Sequence, residues 1–246
     1  MKAIILAGGQ GTRLHPYTKI LPKCMIPLDG IPILQILLLQ LRDAGFSQVI
    51  LSVYHLAPLI ERYFGNGDWL DMQLTYSREP EPLGTAGPLS LIESFDTPTL
   101  VLNADLLTTI NFMDVFIAHT RSNAIGTVVI CQHTIPVELG VVELDCHQKI
   151  INYEEKPKLS FLVGGGIYVL DPSVLDYIPK QQYMDMPVLI QKLLANNHTI
   201  NSYFSQERWL DIGTIEQYQH ADEVFRRHRG SFLKYEYALL APDANL

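Results

Sequence analysis

Lys2-Ala3-Ile4-Ile5-Leu6-Ala7-Gly8-Gly9-Gln10-Gly11-Thr12-Arg13-Leu14 opens the chain, and Leu21-Pro22-Lys23-Cys24-Met25-Ile26-Pro27 follows closely. Residues 2–6 are a short apolar run that reads as a buried strand. It feeds a glycine-rich turn, where missing β-carbons allow positive φ and let backbone N–H groups close on a ligand. Arg13 and Lys23 add two fixed positive charges to a loop already shaped for an anion. The pattern suits a polyphosphate. Spacing removes two better-known phosphate loops. A Walker A loop requires G-x-x-x-x-G-K-[ST], and no lysine follows Gly11 in that register. The dinucleotide fingerprint requires a third glycine where Leu14 stands, and His15-Pro16 interrupts a helix opening there. A Rossmann dehydrogenase fails on the same missing glycine.

The turn at residues 7–14, with Pro22-Lys23, resembles the signature of the sugar-1-phosphate nucleotidyltransferases. Five further blocks match that family in order. They are Glu81-Pro82-Leu83-Gly84-Thr85-Ala86-Gly87-Pro88, Val101-Leu102-Asn103-Ala104-Asp105, Glu154-Glu155-Lys156-Pro157, Gly165-Gly166-Ile167-Tyr168 and Trp209-Leu210-Asp211-Ile212-Gly213. The resemblance spans residues 2–225, nearly the whole chain. It implies an α/β fold, a doubly wound Rossmann-like mixed sheet in a single domain with an antiparallel sugar-binding part. It also implies a reaction in which a sugar 1-phosphate attacks the α-phosphorus of a nucleoside triphosphate and expels pyrophosphate. The attacking oxygen is already anionic, so no general base is needed. The obstacle is repulsion between two anions, which positioning and charge neutralisation overcome.

By the same resemblance, Arg13, Lys23 and Asp105 form the catalytic set, and Asp105 with Asp211 holds Mg2+. Hard oxygen donors with retained waters are what Mg2+ prefers. Leu6, Ala7, Gly8, Gly9, Gly11, Thr12, Arg13, Lys23, Glu79, Pro82, Gly84 and Thr85 are the expected nucleotide contacts. Gly140, Glu155, Lys156, Gly165 and Gly166 are the expected sugar-phosphate contacts. Taken singly, Asp105 and Asp211 would pass as turn or helix caps; Thr214 is the better cap, which leaves Asp211 free. The run at residues 81–88 is most similar to mannose-1-phosphate, heptose-1-phosphate and hexosamine-1-phosphate guanylyltransferases, so GTP is the expected donor. UTP, dTTP or CTP, or a catalytically silent subunit that senses sugar nucleotides, are the alternatives. The presence of Arg13, Lys23, Asp105 and Asp211 favours the enzyme. Two departures stand out: Ala104 beside the first aspartate, and Gly164 where relatives often carry asparagine, which bears on sugar identity.

Composition agrees with a small polyanionic substrate. The 246 residues carry a net charge of −8, which argues against nucleic acid or an anionic membrane as partner. Met1-Lys2 runs directly into a strand and no apolar run reaches membrane-span length, so a cytoplasmic protein without signal peptide is expected. Cys24, Cys131 and Cys146 show no metal or C-x-x-C spacing, as in a reduced compartment. Cys24 reads as a small packed residue despite its neighbour Lys23.

The first half alternates strand and helix, as a doubly wound sheet does. Strands are predicted at 2–6, 48–53, 74–77 and 99–102, and helices at 32–44, 56–64, 85–95 and 111–121. Strands at 128–131, 140–144, 150–153 and 163–170 follow with little helix between them, which favours antiparallel pairing into a lid or wall. Helices return at 173–177, 187–196 and 215–227. The expected organisation is a catalytic domain over 1–228, with a nucleotide-binding half to about 122 and a sugar-binding half over 123–228. Residues 229–246 are expected as a tail, and a homo-oligomer as a partner state. No hexapeptide β-helix repeat is present.

Overall fold

The computed structural model describes residues 1–93 and 95–233. β1 (Lys2–Ala7) is apolar from Ala3 onward, as befits a strand covered on both faces. Beyond the glycine turn, β2 (Pro27–Leu28) and β3 (Ile31–Pro32) form a small hairpin that leads into α1 (Ile33–Asp43). α1 is buried over most of its surface, and Gly45 at φ +86° ends it. β4 (Gln48–Val53), α2 (Ala57–Phe64) and β5 (Gln73–Arg78) complete the first winding. β6 (Thr99–Asn103) and β7 (Leu106–Thr108) flank Asp105. Asn111 then caps α3 (Phe112–Thr120) by accepting from the Met113 N–H at 3.0 Å. Next come β8 (Gly126–Pro136), the hairpin of β9 (Val141–Leu144) and β10 (Ile150–Glu154), and β11 (Lys158–Leu170). α4 (Met186–Ala195), β12 (Ile200–Ser205), β13 (Trp209–Asp211) and α5 (Ile215–Phe232) finish the described chain.

Seven strands form the main sheet in the order β12-β8-β11-β6-β1-β4-β5. β1 runs parallel to β4 and β6, and β4 parallel to β5, while β11 is antiparallel to both β6 and β8. The sheet is therefore mixed, parallel from β6 through β1 and β4 to β5 and reversed at β11. Alternation along β1 divides the core between two faces: Ala3, Ile5 and Ala7 join the cluster containing α1, whereas Ile4 joins the cluster containing α4. Because β1 and β6 are parallel, both deliver their carboxyl ends to the same edge, where open α/β sheets bind ligands. Among the described residues no helix is long and apolar enough to cross a membrane.

Three local expectations need correction. The α-helix expected over 85–95 is absent among the described residues, which show a 3-10 turn over Gly87–Leu91. The Ala86 and Gly87 N–H groups instead donate to the Met184 carbonyl, at 2.8 and 3.0 Å, and Pro88 has no N–H to give. The strands predicted at 128–131 and 163–170 are much longer, because β8 and β11 pair out to Pro136 and Lys158, with a register shift between Gly164 and Tyr168. The helix predicted at 215–227 runs on through a kink at His228 to Phe232, into the segment expected as a tail, and Phe232 is buried with its ring 5.7 Å from that of Phe225. The remainder of that expected tail, from 234 on, lies outside the described residues.

Candidate active site

The glycine turn leaves β1 at Ala7 and is held by its own chain. Gly11 adopts φ +61°, and a β-carbon there would stand 2.8 Å from Thr18 Cγ2 and 3.1 Å from Lys23 Cβ. Thr18 is buried; its hydroxyl donates to the Gly11 carbonyl at 2.8 Å and so fixes the turn. Leu14 anchors the far end in the core. Gly8 also has no room for a side chain, because Glu79 Oε1 lies against it.

Asp105 follows β6 at the sheet edge, and Lys23 Nζ donates to its Oδ2 in a half-buried ion pair. Two backbone contacts bring the second aspartate across. β13 pairs antiparallel with β7, setting Asp211 opposite Leu106, and Ile212 N–H donates to the Asp105 carbonyl at 2.9 Å. Thr214 caps α5 through a capping box with Gln217, as the sequence predicts, which leaves the Asp211 carboxylate unspent. Burial holds the Asp211 carboxyl above its ordinary range, the Asp105 charge adds to this, and Lys23 and Arg13 oppose it. The Arg13 guanidinium reaches the same spot, 3.1 Å from where a Gly213 β-carbon would stand, with Asp211 Oδ2 at 3.3 Å from that point. Residues 13, 23, 105 and 211 thus form one charged cluster.

Asp105 Oδ1 is buried without a hydrogen-bond partner among the described residues. An orphaned carboxylate oxygen is costly unless a ligand or cation completes it. The donors fit Mg2+: two aspartates of hard oxygen, joined among the described residues by no third His, Cys, Asp or Glu. Mg2+ accepts one or two carboxylates when substrate phosphates and water complete its shell.

A cleft of about 300 Å3 opens beside this cluster, lined by Leu6, Gly8, Gly9, Gln10, Glu79, Pro82, Gly84, Thr85, Asn103, Asp105 and Tyr183. A narrower recess continues from it along Ala7, Lys23, Cys24 and Ala104. Most expected nucleotide contacts therefore converge. Glu79 is buried and its carboxyl is raised by that burial. Both of its oxygens already have donors, Ser52 Oγ at 3.1 Å and Leu83 N–H at 3.0 Å, so it braces the loop over residues 82–85. Cys24 is packed, with its thiol pushed up to about 12 by burial.

The expected sugar-phosphate residues separate into two groups. Gly166, at φ +69°, lies under the amide of Asn103, a residue that lines the cleft, while the Gly165 carbonyl accepts from Trp209 Nε1 at 2.8 Å; neither glycine lines the cleft itself. Gly140, Glu155 and Lys156 line neither the cleft nor its recess. They stand on the exposed hairpin, where Tyr153 covers Gly140 and donates to Glu155 Oε2 at 3.3 Å. Sequence reading missed Gln10, Asn103 and Tyr183. Gln10 and Asn103 stand inside recognised blocks, so position could have flagged them. Tyr183 has no local signal, because only the fold brings it to residues 82–85.

The profile of the family described as Nucleotidyl transferase matches residues 2–227. The chain is 37% identical to a UTP–glucose-1-phosphate uridylyltransferase of Synechocystis, over 90% of this chain and 62% of that one. It is 32% identical to a mannose-1-phosphate guanyltransferase of Schizosaccharomyces pombe, over 100% of this chain and 69% of that one. A mannose-1-phosphate guanylyltransferase catalytic subunit beta of Drosophila melanogaster is 39% identical, over 86% and 59%. The chain thus spans about three fifths to seven tenths of the length of these relatives. In fold it is similar to a structure titled a putative glucose-1-phosphate thymidylyltransferase from Bacillus anthracis, with a TM-score of 0.74 at 24% identity over 92% of this chain and 95% of that one. HddC from Yersinia pseudotuberculosis complexed with GMP-PN gives 0.69 at 23% identity, over 91% and 99%. With a glycine turn, two facing aspartates and a sheet of this order, the chain belongs to the nucleotidyl transferase family.

Proposed function

We propose that this chain transfers a nucleoside monophosphate from GTP to a sugar 1-phosphate of the mannose, heptose or hexosamine type, releasing pyrophosphate. One observation carries the reading: the cluster of Lys23, Arg13, Asp105 and Asp211 at the mouth of the glycine turn, with Asp105 Oδ1 buried and unpartnered among the described residues. In this reading the backbone of residues 7–11 wraps the triphosphate, and Lys23 and Arg13 hold its charge while the sugar phosphate approaches in line. Asp105 and Asp211 would hold Mg2+, which when bound supplies charge neutralisation at the phosphates. Leu6, Gly8 and the loop over residues 82–85 hold the base. Gly165 and Gly166 floor the sugar end, and Glu155 and Lys156 reach it from the hairpin. The first 122 residues then serve the nucleotide and residues 123–228 the sugar.

The guanylyltransferase names among the relatives support GTP. The Synechocystis relative, named for UTP and glucose 1-phosphate, supports a second reading in which the donor is UTP. A matrix of nucleoside triphosphates against sugar 1-phosphates separates them, read by pyrophosphate release and by product mass. The expected result is turnover in the GTP row; turnover confined to UTP selects the second reading. No turnover anywhere, with Mg2+ present, overturns both in favour of a sensor. Light scattering of the same preparation tests the expected homo-oligomer.

A further inference from the structure

The segment that enters α4 does something its sequence does not announce. Asp185 stands at the N-cap of that helix, where an aspartate ordinarily accepts from the first-turn N–H groups and contributes about 1 kcal/mol. Here its side chain makes no cap bond. Oδ1 instead accepts from the Thr85 N–H at 3.2 Å and from the Thr85 hydroxyl at 3.4 Å, and Oδ2 accepts from the Tyr183 hydroxyl at 2.7 Å. The main chain reinforces the link. Met184 N–H donates to the Leu83 carbonyl at 3.0 Å, the Met184 carbonyl accepts from Ala86 and Gly87, and Met186 N–H donates to Thr85 Oγ1 at 2.7 Å. Gly84, at φ +79°, passes so close that a β-carbon would stand 2.6 Å from the Met184 carbonyl oxygen. Residues 83–87 and 183–186, about a hundred positions apart in sequence, are therefore one clamped unit.

Tyr183 is the outward end of that unit. It is 64% exposed, yet its hydroxyl is tied to Asp185 and its backbone neighbours are tied to the loop. Tyr183 lines the same cleft as Gly8, Glu79, Pro82, Gly84 and Thr85. An exposed aromatic ring, fixed at both ends beside a cleft of this size, presents a ready face to a planar group. Because its orientation is set beforehand, little side-chain entropy remains to be lost on binding.

Resting on the reading above, we infer that Tyr183 is the stacking wall for the nucleobase and that Asp185 is a positioning residue shaping the loop that selects it. Stacking accepts any base, so Tyr183 contributes affinity without choice. Selection by hydrogen bonding depends on loop geometry, so it falls to what Asp185 holds. The two residues therefore have separable signatures.

Calorimetric titration of the full chain with GTP and with UTP, in Mg2+ and without sugar phosphate, reads both. Tyr183→Ala is expected to weaken both nucleotides by about tenfold, the size of losing one base–aromatic stack, and Tyr183→Phe by less. Asp185→Ala is expected to change the ratio of GTP to UTP affinity, and Asp185→Asn, which keeps an acceptor oxygen, to restore part of it. In turnover, the Tyr183→Ala loss should fall mainly in KM for the nucleotide and leave KM for the sugar phosphate in place. Wild-type nucleotide affinity in Tyr183→Ala overturns the stacking role, and an unchanged ratio in Asp185→Ala overturns the positioning role. If the unsubstituted protein binds neither nucleotide, the parent reading falls and this inference with it.

Discussion

The cleft and the arm are built to opposite specifications. At the cleft, side chains from positions as distant as Lys23, Asp105, Asp185 and Asp211 are fixed by backbone pairing and buried or half-buried contacts. The arm, made of the β8 tip, the β9–β10 hairpin and the start of β11, is exposed almost throughout. Its hairpin is nevertheless amphipathic. Tyr153 pairs with Val142 and Ile150 with Leu144, and the register shifts between Ile150 and Asn152, leaving Ile151 as the extra residue. Val142, Leu144, Ile150, Ile151 and Tyr153 are all exposed. Charges that must act together are strongest where water is excluded and nothing needs to reorganise. A preformed cleft serves that need. A contact group carried on an open hairpin can instead approach after its ligand has arrived, at the cost of weaker individual contacts. In the proposed reading, the first region handles phosphate and base and the second reaches the sugar.

The largest effects should follow from breaking the cleft. Asp105→Ala or Lys23→Ala is expected to lower kcat by about 10²-fold or more, the usual loss when a preorganised charge is removed. Stopped or steady-state pyrophosphate release measures it, and near-normal turnover in both variants would sink the assignment of the cluster. Gly84→Ala comes next. The residue has φ +79°, and the added carbon would meet the Met184 carbonyl and Asp185 Oδ1, at 2.6 and 2.8 Å. Backbone cannot give way cheaply, so the loop must shift; nucleotide affinity should fall by about tenfold, with strain on the order of 1 kcal/mol or more. Calorimetry and a thermal melt read the two parts.

On the arm the same kind of change should do less. Lys156→Ala and Glu155→Gln are expected to raise KM for the sugar 1-phosphate by about five- to tenfold, the size of one solvent-exposed charged hydrogen bond. The melting temperature and the nucleotide KM should hardly move. Losses as large as those at Asp105 would mean that the hairpin is part of a closed centre, and the contrast between the two regions would fail.

How much of this was legible in the sequence follows the same division. β4 was bounded correctly at Gln48–Val53, and α1 within a residue or so, because their signals are local: periodicity, a terminating glycine, a basic last turn. Thr214 was readable as a cap because its partner Gln217 is three residues away. The segment at 85–95 was misread because the carbonyl that takes its N–H groups belongs to Met184. Asp185 looks like an ordinary N-cap for the same reason, since its true partners are Thr85 and a tyrosine already pinned to the loop. The length of β8 and β11 was missed because their outer halves pair with each other and with no core, so neither burial nor alternation marks them. Local chemistry was visible in the residues. Partners about a hundred residues apart were visible only where a whole family block named them.

The smallest expected effect separates the root of the arm from the cleft. β11 runs antiparallel to β6 with Leu170 opposite Thr99, so the start of β8 and the end of β11 lie at the sheet edge away from Asp105. His119 of α3 is 4% exposed there, and its Nδ1 is 3.0 Å from the Thr127 hydroxyl of β8. Burial holds this imidazole below its ordinary range, and the Asp171 charge offsets part of the shift. The folded chain therefore takes up the His119 proton at lower pH than the unfolded chain does. Between the two values the unfolded state binds more protons, so stability falls as pH drops below the ordinary histidine range, near about 6.5. The melting temperature should decline on going from about pH 7.5 to about pH 5.5, and His119→Gln should flatten that decline. Nucleotide affinity at saturating Mg2+ should not follow the same curve, because neither His119 nor Thr127 lines the cleft or its recess. An equal slope in the variant would show that His119 is not the group responsible, whereas nucleotide affinity that tracks the melting curve would show that root and cleft move as one body.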